Sequence, residues 1–140
     1  MNEIEKILLS ILIAYLIAQI SKALIYFRAT KSFSLKYFFL ENGGMPSTHT
    51  STTSALTIGI LLYNGFSIEF LIAAMLTVIV MNDAMKVRFE TGEEAKILNK
   101  ILAKEDLPYH KLSERVGHTP IQVFIGFILG AIAALILYAF

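Results

Sequence analysis

The chain has 140 residues, of which 56% are hydrophobic and only 16% are charged, with a net charge of +1. Soluble domains carry about 25% charged residues, so the composition points to the lipid bilayer, and the length predicts one domain over residues 1–140. Because cysteine is absent, disulfides, thiolate catalysis and thiolate-ligated metals are excluded, and the near-neutral charge gives no indication of a nucleic-acid partner.

Four apolar stretches predict an all-α membrane bundle of about four transmembrane helices. They cover residues 7–27, 51–63, 68–85 and 120–140. A membrane span needs about 20 mostly apolar residues, and the second stretch reaches that length only if the polar turn from Pro46 is counted. We therefore expect this turn to be helical and to face protein rather than lipid.

The long linker over residues 86–119 predicts one further helix. Thr91 and Glu94 match the spacing of a capping box, which marks a helix start. Apolar residues then recur at helical spacing; they are Ile97, Leu98, Ile101 and Leu102. This pattern predicts an amphipathic helix that lies on the membrane surface or on the bundle.

The distribution of basic residues predicts the orientation. With four spans, the first and third linkers share one membrane face. Of the twelve lysines and arginines, all except Lys6 belong to that face or to the span ends beside it. The positive-inside rule then makes this face cytoplasmic and predicts a multi-pass protein of the cell membrane.

Polar residues at the span ends converge on the same face. Lys22 closes the first span, "PSTH" (46–49) opens the second, Asp83, Lys86 and Arg88 close the third, and "GHTP" (117–120) opens the fourth. Helix N-termini and basic side chains bind anions, and two histidines can share attack and proton transfer. The set predicts a phosphate site.

Structural interpretations of the same residues are also open. Lys22 could simply extend its ammonium to the interface, and Asp83 could form a boundary ion pair with Lys86 or Arg88. Gly43 and Gly44 could serve only to permit a turn.

The start of the fourth span has its own structural interpretation. Thr119 as N-cap, Pro120 at the first helical position and Gln122 at the third would form a capping box, so that Gln122 would do no chemistry. Further along, Gly126 and Gly130 predict a close helix-packing face.

Three segments together resemble a known family. "GGMPSTHT", "NDAMKVRFETGEEAKILN" and "GHTPIQVFIGFILG" are similar to the divergent branch of the type 2 phosphatidic acid phosphatase (PAP2) superfamily. The resemblance implies a membrane phosphatase that hydrolyses a lipid phosphate or diphosphate through a phosphohistidine, without metal or cofactor. Its partners would be a phospholipid or polyprenyl phosphate substrate and membrane lipids. A homodimer could complete the bundle, because membrane enzymes of this superfamily typically have six spans.

The resemblance also implies roles for individual residues. His118 would be the nucleophile and His49 the general acid. The phosphate ligands would be Lys22, Ser47, Thr48, Arg88 and Arg115, and the supporting residues would be Asp83, Gly43, Gly44 and Gly117.

This chain departs from the superfamily pattern in several ways. The Lys-to-Arg-Pro motif is absent upstream of "PSTH", and Arg115 lies three residues before His118, whereas the main pattern has an arginine further upstream. Thr48 stands where the superfamily has Gly, and Gln122 stands where it has the acid that orients the nucleophile. Three outcomes are open at this stage: Glu114 or Asp83 replaces that acid, the enzyme is slow, or the protein is a lipid-phosphate binder or scaffold without catalysis. A transporter or channel is less favoured, because the polar residues gather at one face rather than at mid-membrane.

Overall fold

The computed structural model describes residues 1–31, 44–105, 110–114 and 116–140, and every regular element among them is helical. These elements are α1 (Glu3–Thr30), α2 (Thr48–Asn64), α3 (Ile68–Asn82), a π-helical segment (Asp83–Val87), α4 (Arg88–Lys104) and α5 (Pro120–Ala139). The predicted all-α membrane bundle is confirmed.

Helix α1 presents one narrow stripe to the rest of the bundle. Ser10, Ala14, Ala18 and Lys22 recur every fourth residue and are buried together with Gln19, because side chains at this spacing share one helix face. The large apolar side chains of α1 lie mostly outside this stripe and are exposed, as expected for a surface that contacts lipid.

Helix α2 lies at the centre of the bundle and packs against α1, α3 and α5. Ser47 caps it, and its buried residues are mostly Ser and Thr. Thr57 and Thr77 share a hydrogen bond of 2.9 Å between their hydroxyl oxygens, and Ser54 Oγ donates to the carbonyl oxygen of Phe127 at 3.0 Å. The polar segment is therefore helical from Thr48 onward and faces protein, as expected, whereas Pro46 and Ser47 precede the helix.

Three helices in the described ranges are long and apolar enough to cross a membrane: Glu3–Thr30, Ile68–Lys104 and Pro120–Ala139. The central helix α2 has 17 residues, and the other three surround it. The predicted number of about four spans therefore corresponds to three apolar helices around one polar, protein-covered helix.

Helices α2 and α5 approach each other at the two glycines of α5. A Cβ added to Gly126 would lie 2.6 Å from the carbonyl oxygen of Ser47, and one added to Gly130 would lie 2.0 Å from that of Ser51. No side chain fits at such distances, so the predicted close-packing face is confirmed. This contact fixes the position of the N-terminal turn of α2 along α5.

The predicted start of the amphipathic helix is wrong. Thr91 lies inside a continuous helix from Ile68 to Lys104, and its hydroxyl donates to the carbonyl oxygen of Val87 at 2.8 Å. A capping sequence starts a helix only where the chain is not already helical, and here the π-helical segment carries the third span straight into α4. The face buried against the rest of the protein holds Gly92, Ala95 and Asn99, whereas Ile97, Leu98 and Ile101 of the predicted apolar face are exposed. In the described residues the predicted apolar face therefore does not pack on the bundle.

Candidate active site

Four side chains from four segments meet at one end of the bundle. They are Lys22 from α1, His49 from α2, Arg88 from α4 and His118 just before α5. His118 lies within electrostatic range of the other three, and His49 lies within range of Arg88, Lys22 and Asp83. The structure therefore brings together two histidines and two cations that are far apart in sequence.

His118 is the most unusual member of this cluster. Its side chain is 1% exposed, yet neither imidazole nitrogen has a hydrogen-bond partner among the described residues. A buried polar group without a partner costs about 1–3 kcal/mol, and native structures contain few of them. Burial, followed by the positive charges of Lys22, His49 and Arg88, lowers the pKa of His118 to about 4, so the imidazole is neutral and keeps a nucleophilic lone pair at neutral pH.

The main chain around His118 is fixed by the π-helical segment and the helix that follows it. The backbone N–H of His118 donates to the carbonyl oxygen of Ala84 at 3.0 Å. A Cβ added to Gly117 would lie 2.3 Å from both the N and the Cα of Phe89, so the loop lies directly on the helix backbone. The orientation of His118 therefore depends on main-chain contacts.

The same π-helical segment positions Arg88. The backbone N–H of Arg88 donates to the carbonyl oxygen of Asp83, which is the i to i+5 bond that defines a π-helix. This spacing also allows Arg88 Nε to donate to Asp83 Oδ2. Asp83 is thus paired with Arg88, one of the two pairings considered from the sequence. Because the carboxylate engages Nε, the two terminal amino groups of the guanidinium can face an anion.

The N-terminal turn of α2 is held by Ser47. This residue is fully buried, and its hydroxyl oxygen accepts hydrogen bonds from the backbone N–H and the hydroxyl of Thr50. Its own N–H donates to the carbonyl oxygen of Gln122 at 3.1 Å. Ser47, expected as a phosphate ligand, therefore acts as a helix cap. The N–H groups of Thr48 and His49 belong to the first helical turn, where no helical acceptor exists and an anion can bind.

Gln122 forms the capping box that was considered as its structural role. Its Oε1 accepts a hydrogen bond from the backbone N–H of Thr119 at 3.0 Å, and the backbone N–H of Gln122 donates to Thr119 Oγ1. The bond that would orient His118 is not present. The two candidate replacement acids are engaged elsewhere, because Asp83 pairs with Arg88 and Glu114 Oε1 accepts from Asn99 at 2.8 Å.

The remaining expected residues fall in two places. Arg115 and Gly43 lie outside the described residues. Gly44 has a φ of +99°, a conformation that favours glycine. It lines a cavity of about 470 Å³ beside the site, whose other walls include Phe89, Gly117 and Gln122.

No cluster of three or more metal-ligating side chains occurs in the described ranges.

Gln19 is a site neighbour that sequence reasoning missed. It is 8% exposed, and its Oε1 accepts a hydrogen bond from Thr48 Oγ1 at 3.4 Å. The available signal was an amide inside an apolar span, three residues before Lys22 and therefore on the same helix face.

An all-helical membrane bundle with a buried histidine among cations at one end defines the class of this protein. Comparison with known proteins gives the particular family: the chain belongs to the divergent PAP2 family, whose model matches residues 4–133. It is 35% identical to a Bacillus subtilis (strain 168) protein named "Uncharacterized membrane protein YuiD", over 95% of this chain and 94% of that one. No solved structure matches the chain. The expected family is thereby confirmed.

The lowered pKa of His118 predicts a pH dependence of stability. The unfolded imidazole has a pKa of 6.5 and the folded one about 4, so between these values the unfolded chain binds more protons. The stability contributed by neutral His118 is complete above pH 6.5 and is lost progressively as the pH falls toward 4. Thermal unfolding in detergent from pH 8 to pH 4 measures this loss. In His118→Gln the melting temperature should depend less on pH than in the wild type. His110→Gln, a change at an exposed position, serves as the control. The same pH dependence in wild type and His118→Gln would contradict the prediction.

Proposed function

We propose that this protein is a membrane phosphatase that hydrolyses a phosphomonoester or diphosphate carried by a lipid. The observation that carries the proposal is His118, a buried neutral imidazole with both nitrogens unpartnered among the described residues and with Lys22, His49 and Arg88 around it. A tetrahedral phosphate would give this imidazole a reaction partner and give the cations an anion. The family membership supports the same reading.

The proposed reaction has two steps. One imidazole nitrogen of His118 attacks phosphorus as the bond to the leaving oxygen breaks, and His49 donates a proton to that oxygen. A water molecule then attacks the phosphohistidine while His49 accepts its proton, which releases inorganic phosphate and restores neutral His118. Arg88, Lys22 and the first-turn amides of α2 hold the charge on the phosphoryl oxygens throughout.

The substrate and the orientation follow from the same proposal. The site lies at an end of the apolar bundle, where lipid headgroups lie, and the apolar faces of α1 and α5 are exposed beside it. In the sequence, eleven of the twelve basic residues, all but Lys6, belong to the linkers or span ends predicted for that side, so under the positive-inside rule the site would face the cytoplasm at the cell membrane.

One observation favours a second function, the binding of a lipid phosphate without turnover. In the superfamily an acid orients the nucleophile, but here Gln122 is engaged in a capping box and neither Asp83 nor Glu114 bonds to His118. A site of this kind retains the cations and the helix N-terminus but holds its imidazole less firmly. If the protein binds a lipid phosphate without turnover, Arg88 should be essential for ligand binding, and both histidines should be replaceable without loss of function.

Phosphate release from defined lipids separates the two functions. The purified protein in detergent is given phosphatidate, phosphatidylglycerophosphate or polyprenyl diphosphate, and inorganic phosphate is measured with and without vanadate, a phosphate mimic. The phosphatase proposal expects release from at least one lipid and inhibition by vanadate. Binding of all three without release would support the second function and contradict the first.

Removal of the Arg88 side chain should weaken phosphate binding. Charged hydrogen bonds contribute about 1.5–3 kcal/mol, so Arg88→Ala should raise the dissociation constant for vanadate roughly 10- to 100-fold. Asp83, which this change leaves without its partner, would repel the anion, so we expect a loss of affinity toward the upper end of this range. Isothermal titration with vanadate measures this effect, and Arg28→Ala, at the exposed end of α1, is the matched control. Equal affinities for the two variants would contradict the proposed phosphate site.

A further inference from the structure

Gln19 is a buried amide in the apolar first helix. Its side chain is 8% exposed, and Lys22, three residues further on, is 5% exposed. Both lie in the stripe of α1 that faces the bundle. In a membrane helix an amide at such a position contributes stability when it bonds to a neighbouring helix, and Gln19 makes a bond of this kind.

The side chain of Gln19 connects two helices. Its Oε1 accepts from Thr48 Oγ1 at 3.4 Å, and its Nε2 donates to the Tyr15 hydroxyl at 3.3 Å. Thr48 is the first residue of α2 and directly precedes His49. The amide therefore links the helix that carries Lys22 to the turn that carries the proposed general acid.

Two other hydrogen bonds of the site hold its elements to helices other than α1. The α2 turn is tied to α5 by the bond from Ser47 to Gln122, and His118 is tied to the π-helical segment through Ala84. Neither bond involves α1. The bond between Thr48 and Gln19 joins the α2 turn to α1.

We infer that Gln19 is a positioning residue of this site, which acts through Thr48 to hold the Lys22 ammonium in register with His49 and His118. The inference rests on the proposed function, because the relative position of Lys22, His49 and His118 matters only if all three act on one phosphate. Gln19 acts here through another residue and is not itself a catalytic residue.

A double-mutant cycle tests the inference. Gln19→Leu and Thr48→Val each remove one partner with little change in shape. Each should raise the dissociation constant for vanadate and lower kcat/KM by roughly 3- to 15-fold, the range measured for interhelical polar bonds in membranes. Because both changes remove the same link, the double variant should be no worse than the more affected single variant.

Ser10→Ala is the matched control for this cycle. Ser10 lies in the same buried stripe of α1, and its hydroxyl bonds to the carbonyl oxygen of Ile7 in its own helix at 2.7 Å. It should change the melting temperature without changing vanadate affinity. Wild-type affinity and turnover in Gln19→Leu, or additive effects in the double variant, would overturn the inference and leave the proposed function standing. A wild-type protein that neither binds vanadate nor releases phosphate would overturn both.

Discussion

His118→Ala should abolish phosphate release while leaving the protein folded. Removal of a nucleophile from a hydrolase costs roughly 10⁴- to 10⁶-fold in kcat, and here the buried imidazole is the group with an available lone pair. The substitution also removes two buried nitrogens that have no hydrogen-bond partner in the part of the chain that the structure describes, so the energetic cost of the cavity it leaves should be partly offset. The melting temperature should therefore change little.

His110→Ala is the control for this experiment, because His110 is exposed and lies outside the cluster. It should release phosphate at the wild-type rate. A His118→Ala variant that keeps more than about a hundredth of the wild-type kcat would exclude His118 as the nucleophile, since general acid–base contributions alone reach 10²- to 10⁴-fold.

Gly117→Ala should produce the second large effect, and it should do so through geometry alone. The added methyl group would lie 2.3 Å from the N and Cα of Phe89 and 2.7 Å from the carbonyl carbon of Arg88. These are backbone atoms of a helix, so the loop must move instead of the helix. Such overpacking costs about 1–3 kcal/mol or more, and a displacement of about 1 Å at the next residue can cost about 100-fold in rate.

Phosphate release and the melting temperature, measured together, check this prediction. Both should fall in Gly117→Ala. Gly59→Ala is the control, because its added Cβ would lie 3.1 Å from the side chain of Ile7, which can move aside far from the site. Gly59→Ala should change the rate of phosphate release by less than about 2-fold, because substitutions away from such features usually have small effects. Wild-type activity in Gly117→Ala would show that His118 does not depend on the docked loop.

The convergence of the site could be predicted because it follows from topology. Consecutive spans alternate in direction, so residues at the end of the first and third spans and at the start of the second and fourth meet at one face. The packing role of Gly126 and Gly130 and the cap formed by Thr119 and Gln122 were also recognisable, since each depends on local spacing.

The π-helical segment could not be predicted in this way. It requires one additional residue in a helical turn, and it is held in part by the bond from the backbone N–H of His118 to the carbonyl oxygen of Ala84, which joins residues far apart in the sequence. The pair between Asp83 and Arg88 could be considered from the sequence, but the long-range bond could not. The same limitation made Thr91 resemble a helix start, because its spacing to Glu94 says nothing about whether the preceding residues are already helical.

Direct detection of the covalent intermediate tests the central claim. The protein is mixed with an aryl phosphate, whose leaving group needs little protonation, and the reaction is stopped in alkali, in which phosphohistidine survives. Mass spectrometry then locates the phosphoryl group. The proposed mechanism predicts a phosphoryl group on His118 that disappears as substrate is exhausted and accumulates in His49→Ala, in which the attacking water has lost its base. Phosphate release with no phosphoryl group on His118, or with one on another residue, would contradict it.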